Sequence, residues 1–205
     1  MKLLNDATSP FGRKILVAAI EHSVSLEEEF VDISAAGPLD RVNPLRQIPA
    51  LVTDENEPVY DSDVILQFLD RMHIGGRLFP EGDWPVLTRT SLANGLIEGT
   101  LQRIMELRRP AQEQSRTFIE KMEARISRVL HQLDGTADLL AGDLVRADQI
   151  TTACALEYVD FRFRRDWRDQ YPALAGWLAA ASRRPSMTGT APTRTAPFIS
   201  RAQRR

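Results

Sequence analysis

The change of pattern at residues 75 to 85 constrains this chain more than any other feature. Gly75-Gly76, Pro80, Gly82 and Pro85 crowd that stretch, and apolar residues do not recur in it at helix or strand spacing. A regular element does not run through such a segment. Before it, strand and helix patterns alternate. Lys2 to Asn5 reads as a strand. Gly12 to Ser23 reads as a helix, with Ile15, Leu16, Ala18, Ala19 and Ile20 at helical spacing. Phe30-Val31-Asp32 is a second strand, and Gly37-Pro38 and Asn43-Pro44 mark an irregular segment. Ala50-Leu51-Val52 and Pro58-Val59-Tyr60 flank a charged turn, as a hairpin does. A helix from Ser62 carries Val64, Ile65, Phe68 and Leu69. After the break only helices are expected, over Leu87 to Leu107, Glu113 to Leu133, Gln149 to Arg165, and Tyr171 to Ala181. The expected organisation is an α/β domain over 1–76, a linker over 77–86 and an all-α domain over 87–205. A chain of 205 residues is long enough for each part to bury a core.

A formal net charge of −2 argues against a general nucleic-acid or membrane-surface binder, because both need a basic face. The basic stretch Arg194 to Arg205 reads as a solvated tail. No apolar run approaches the roughly 18 residues of a membrane span. The start of the chain lacks the basic and apolar regions of a secretory leader. With one cysteine, Cys154, an internal disulfide framework is excluded. A soluble protein of a reducing, cytoplasmic compartment is expected. His22, His73 and His131 have no metal-ligand spacing, so no metal is expected. Cys154 lies among Ala153, Ala155 and Leu156 and reads as a small buried hydrophobe.

Three short motifs carry chemistry. At the first strand-to-helix turn stands Ser9-Pro10-Phe11-Gly12. A thiol oxidoreductase of this layout would carry Cys-x-x-Cys there, and here the end positions are Ser9 and Gly12. In Gln47-Ile48-Pro49-Ala50-Leu51 the proline, lacking an amide hydrogen, belongs at a strand start or edge. A cis Ile48–Pro49 bond would turn the N–H and C=O of Ile48 outward, where an extended peptide could pair with them. In Tyr60-Asp61-Ser62-Asp63, Ser62 is the expected N-cap of the helix that follows. A ligand carboxylate would bind the Ser62 hydroxyl and the neighbouring amide, and Asp61 would accept from a ligand ammonium. Together they would hold a zwitterionic α-amino acid group.

Ser9-Pro-Phe-x-Arg-Lys, Asn43-Pro-Leu-x-Gln-Ile-Pro-Ala-Leu and Asp61-Ser62 resemble the N-terminal domain of cytosolic glutathione S-transferases. Arg109-Pro110-Ala111-Gln112-x-Gln114-Ser115, Ala153-Cys154-Ala155 and Tyr158-Val-Asp-Phe-Arg162 resemble the bacterial YibF-like branch, and Arg184-Pro185-Ser186 matches a common ending. The resemblance implies a thioredoxin-like α/β N-terminal domain plus an all-α C-terminal domain. It further implies a homodimer, glutathione as co-substrate, and detoxification of small electrophiles. By motif, Ile48 and Pro49 would face the cysteinyl part of glutathione, Asp61 and Ser62 its γ-glutamyl end, and Gln47 the same ligand. Phe11 would line the electrophile pocket. Arg108 and Arg109, which end a long helix bordering that pocket in the family, would select anionic electrophiles.

Ser9 is then the expected thiolate support. A free thiol, with a pKa of about 8.5, is only a few per cent thiolate at pH 7. A hydroxyl donating to sulfur and the positive end of a helix both favour the charged form. A drop of two units corresponds to about 2.7 kcal/mol. The nucleophilic sulfur would come from the ligand, Ser9 holding it and Thr8 being the nearest substitute. Two other functions fit the same pattern. One is a glutathione-dependent thiol or peroxide reductase, and the other is a non-catalytic glutathione-binding interaction protein. One departure from the family concerns stability. Where it often places a Ser/Thr-x-x-Asp capping box, Val145 stands three residues before Asp148. Either that helix starts at Asp148 itself or its end is capped another way.

Overall fold

The computed structural model describes residues 1–35, 37–163 and 167–192. The expected tail from Arg194, and Arg164 and Arg165, lie outside the described residues. The chain forms two compact units. One is Met1–Leu78 with the segment that begins at Gly189, and the other is Phe79–Thr188.

The first unit holds a four-stranded sheet in the order β2-β1-β3-β4. Strand β1 (Lys2–Asn5) runs parallel to β2 (Glu27–Phe30) and antiparallel to β3 (Ala50–Val52), which pairs antiparallel with β4 (Pro58–Val59). Parallel neighbours need a long crossover, and α1 (Pro10–Glu21) supplies it. Successive residues of β1 point to opposite faces. Leu4 packs with Leu39 and Ala50 on one face, leaving Leu3 to the other, and both are buried. Helix α3 (Ser62–Leu69) packs against α1 and the β3–β4 hairpin.

Two expected elements of this unit are corrected. The second strand is Glu27–Phe30 rather than Phe30 to Asp32. It is a sheet edge with one apolar residue, so hydrophobic patterning did not reveal it. Its glutamates meet β1 instead: Lys2 Nζ lies 3.0 Å from Glu29 and 3.6 Å from Glu27. These partners raise the Lys2 ammonium above its ordinary pKa, the hydrogen bond to Glu29 most. The segment expected to be irregular contains a short helix, α2 (Pro38–Val42), whose Leu39 enters the core beside Leu4.

The second unit is helical. Helix α4 (Trp84–Leu107) packs against α5 (Arg116–Asp134) and α6 (Ala147–Phe163), with α7 (Pro172–Ala181) and the short α8 (Pro185–Gly189) completing it. Helix α4 starts before the expected Leu87. Asp83 caps it, accepting from the Val86 N–H at 3.0 Å, and Pro85 stands in the first turn, where its missing N–H costs nothing. At Gly99 a Cβ would lie 3.3 Å from Arg125 Cδ, so the glycine lets α5 approach α4 closely. Helix α6 is buried on nearly all sides, including Asp148, Gln149, Thr151 and Thr152.

The start of α6 resolves the capping question. The helix begins at Ala147, and Gln149 reaches back so that its Oε1 accepts from the N–H groups of Arg146 and Val145, at 2.9 and 3.1 Å. This is the glutamine half of a capping box without the serine half. Gln149 Nε2 donates to the carbonyls of Leu140 and Ala141, both at 3.1 Å, so the amide group is fully used. Beside it the buried Asp148 accepts from Arg89 Nε at 2.7 Å and Arg146 Nε at 3.1 Å. Replacing Gln149 by Leu takes the partner from the Arg146 N–H and the Ala141 carbonyl, while the Val145 N–H keeps the Asp143 carbonyl at 2.9 Å and the Leu140 carbonyl keeps Trp177 Nε1 at 2.8 Å. We expect a loss of about 2 kcal/mol, read as a lower urea midpoint at unchanged slope.

Candidate functional site

Strand register gathers the three motifs at one end of the sheet. Leu4 faces Ala50, and Leu51 faces Val59. The last residue of β1, the residues before β3 and the residues after β4 therefore share an edge. Ser9, Ile48-Pro49 and Asp61-Ser62 all leave from it.

At the first corner Ser9 is the N-cap of α1. Its Oγ accepts from the Gly12 N–H at 3.2 Å. An accepting hydroxyl keeps its own proton, so capping leaves Ser9 able to donate to a ligand. Thr8 is committed elsewhere, its Oγ1 donating to Asp6 Oδ1 at 2.7 Å. Phe11 is partly exposed on the first turn of α1, with Lys14 Nζ 5.7 Å from its ring centroid. Gly12 is required by its neighbour. A Cβ there would stand 1.7 Å from Asn5 Oδ1. Asn5 is buried, with Nδ2 bonded to Glu28 at 2.7 Å and Oδ1 without a partner among the described residues. The fourth position of the turn is thus occupied by the strand's own side chain. Gly12→Ala should cost about 1–3 kcal/mol through overpacking, measured by thermal or urea unfolding, and Asn5→Ala in the same chain should recover part of it.

At the second corner the Ile48–Pro49 peptide is cis. Asn43 holds the loop that leads into it, its Oδ1 accepting from Leu45 N–H at 3.0 Å and its Nδ2 donating to the Gln47 carbonyl at 2.8 Å. Arg46 in this loop takes a left-handed backbone, φ 52°. The N–H and C=O of Ile48 have no hydrogen-bond partner among the described residues. Pro49 is buried, and the Gln47 side chain is exposed.

At the third corner the structure corrects the cap. Asp61, not Ser62, is the N-cap of α3, its Oδ1 accepting from the N–H groups of Asp63 at 3.0 Å and Val64 at 3.4 Å. A carboxylate takes both amides and adds a charge at the positive helix end, which a hydroxyl cannot. Ser62 becomes the first helical residue. It is 6% exposed, yet neither its hydroxyl nor its N–H has a partner among the described residues. Two adjacent donors therefore remain at the start of a capped helix, which is what a carboxylate needs.

Sequence reasoning quoted Lys14 but gave it no role. Its side chain is fully buried, with Nζ 2.6 Å from Asp63 Oδ1. The apolar residues three and four positions on, Val17 and Ala18, both buried, are the signal that this lysine lies on the inward face of α1. In the second unit Arg108 is the C-cap of α4, and Arg162 lies near enough to act on it. Burial chiefly, and Arg162 next, lower the Arg108 pKa from its ordinary value, while Tyr158 opposes them. Arg109 is exposed and faces Glu113 at 3.3 Å. Cys154 is buried within α6. Among the described residues no group of three His, Cys, Asp or Glu side chains is placed to hold a metal ion, and no helix is long and apolar enough to cross a membrane.

Residues 8–72 match the glutathione S-transferase N-terminal domain, and residues 99–180 match the C-terminal domain. The uncharacterized GST-like protein YibF of Escherichia coli (strain K12) is 31% identical over 170 residues, which are 79% of this chain and 83% of that protein. The crystal structure of a glutathione transferase family member from Pseudomonas fluorescens Pf-5 with bound glutathione is similar at a TM-score of 0.89 and 32% identity, covering 94% of this chain and 98% of that one. One with bound S-(propanoic acid)-glutathione, also from Pf-5, gives a TM-score of 0.85 at 33% identity over 94% and 100% of the two chains. This chain belongs to the glutathione S-transferase family. Its architecture is the thioredoxin-like sheet domain followed by the helical domain of that family.

Proposed function

We propose that the protein binds glutathione and conjugates its thiolate to small electrophiles. One observation carries the reading above the others: among the described residues, Ser62 keeps an amide and a nearly buried hydroxyl without partners at the start of α3, beside the acceptor Asp61. That arrangement suits the α-carboxylate and α-ammonium of a γ-glutamyl group. The open N–H and C=O of Ile48 suit the cysteinyl backbone, and Gln47 lies next to them for the same ligand. Ser9 donates to the sulfur, aided by the start of α1. Relatives that hold glutathione support the same ligand here.

In this reading Phe11 and Arg108 serve the second substrate. Arg108 is the candidate for an acidic electrophile because it is partly buried at the end of α4, where a charge acts through less water than at the exposed Arg109. The conjugate held by the Pf-5 relative, a thioether carrying a carboxylate, is of this kind. The buried Cys154 supplies no second thiol for a reductase cycle, and it suits a reducing, cytoplasmic setting. A homodimer is part of the proposal. Val64 and Met72 are exposed apolar residues lining a groove of about 560 Å³ with Pro58, Val59, Phe68 and Arg71. Light scattering should give twice the chain mass, and Met72→Glu should shift it to the monomer.

Ser9→Ala should still bind glutathione but lose the thiolate. With a normal thiol restored, the thiolate fraction at pH 7 falls about 20-fold. The rising limb of kcat/KM moves from below pH 7 to between pH 8 and 9, checked by thiolate absorbance and by turnover of a model electrophile. An unchanged pH profile would remove Ser9 from this role.

A further inference from the structure

We propose that Lys14 is a positioning residue for the γ-glutamyl carboxylate, acting through Asp63. The inference rests on the glutathione reading above and assigns a role to a motif residue that reading leaves unused.

The corner around Ser62 poses an electrostatic problem. Its two donors suit an anion, yet Asp61 precedes it and Asp63 follows it. Asp61 has a use, as the cap of α3 and as acceptor for the ligand's ammonium. Asp63 has neither, and its charge one residue from the Ser62 donors opposes a ligand carboxylate. Like charges at such range disfavour binding, more so beside low-dielectric protein. Lys14 answers this. Its ammonium comes from α1, is fully buried, and lies 2.6 Å from Asp63 Oδ1, while Asp63 itself is 41% exposed at the side chain. A buried lysine is costly unless it is paired, and the pairing here is with Asp63. Here the pair cancels Asp63 and pins the first turn of α3 to α1. The helix start keeps its attraction for an anion, and Asp61 stays the acidic group left for the ammonium.

Calorimetric titration of the full chain tests this. The ligands are glutathione and γ-aminobutyryl-cysteinylglycine, which is glutathione without its α-carboxylate. Lys14→Met should raise the Kd for glutathione tenfold or more and leave the Kd for the analogue within about twofold. Lys14→Met/Asp63→Asn, which removes both charges, should return glutathione to within about threefold of the unsubstituted protein. A merely structural lysine would weaken both ligands alike and would not be rescued by Asp63→Asn. Should Lys14→Met fail to fold, the double variant decides: folded protein with near-normal affinity supports the inference, and folded protein tenfold weaker overturns it. Unchanged glutathione binding by folded Lys14→Met also overturns it. If the unsubstituted protein itself binds no glutathione at millimolar concentration, the glutathione reading fails and takes this inference with it.

Discussion

Four residues, Lys2–Asn5, are the constraint from which the first unit is built. Strand β1 pairs on both edges, with β2 and with β3, and buries Leu3 and Leu4 on opposite faces. A strand so enclosed has no freedom of register, because a slip of one residue would exchange its two faces. Its end is therefore a fixed point, and Asn5 carries that fixity into α1 by lying against Gly12. From there the register of β3 and β4 brings the loops of Ile48-Pro49 and Asp61-Ser62 to the same edge.

Two of the three corners at that edge use one device. A side chain caps the helix, and the capping leaves a donor over. Ser9 accepts from Gly12 and keeps its own hydroxyl proton. Asp61 takes the amides of Asp63 and Val64, and the amide and hydroxyl of Ser62 remain. Side chains that stabilise the fold therefore also decide which polar groups stay open. The α6 start is the contrast: Gln149 uses all of its amide capacity internally, and nothing is left for a ligand.

Much of this was legible in the sequence, for physical reasons that differ by element. β1, β3 and the long helices announce themselves because burial demands apolar residues at their period. The turn of Ser9 and the Pro49 strand start are legible because serine and proline have narrow backbone uses. β2 was misplaced because an edge strand of glutamates is held by backbone pairing and cross-strand charge, which leave no hydrophobic trace. The cap at α3 was assigned to Ser62 because two adjacent residues both suit an N-cap, and only the backbone decides between Asp61 and Ser62. The Gln149 cap and the Lys14–Asp63 pair join segments through side-chain reach, which spacing along one chain does not encode.

The single cysteine of the chain lies sealed inside α6. A protein of this design meets alkylating and oxidising molecules with no thiol of its own on offer. In the proposed conjugation the reacting thiol arrives with the ligand and departs with the product, so the damage a reactive compound does to thiols is carried away instead of accumulating in the polypeptide. Resistance to thiol-reactive compounds follows from where one side chain is buried.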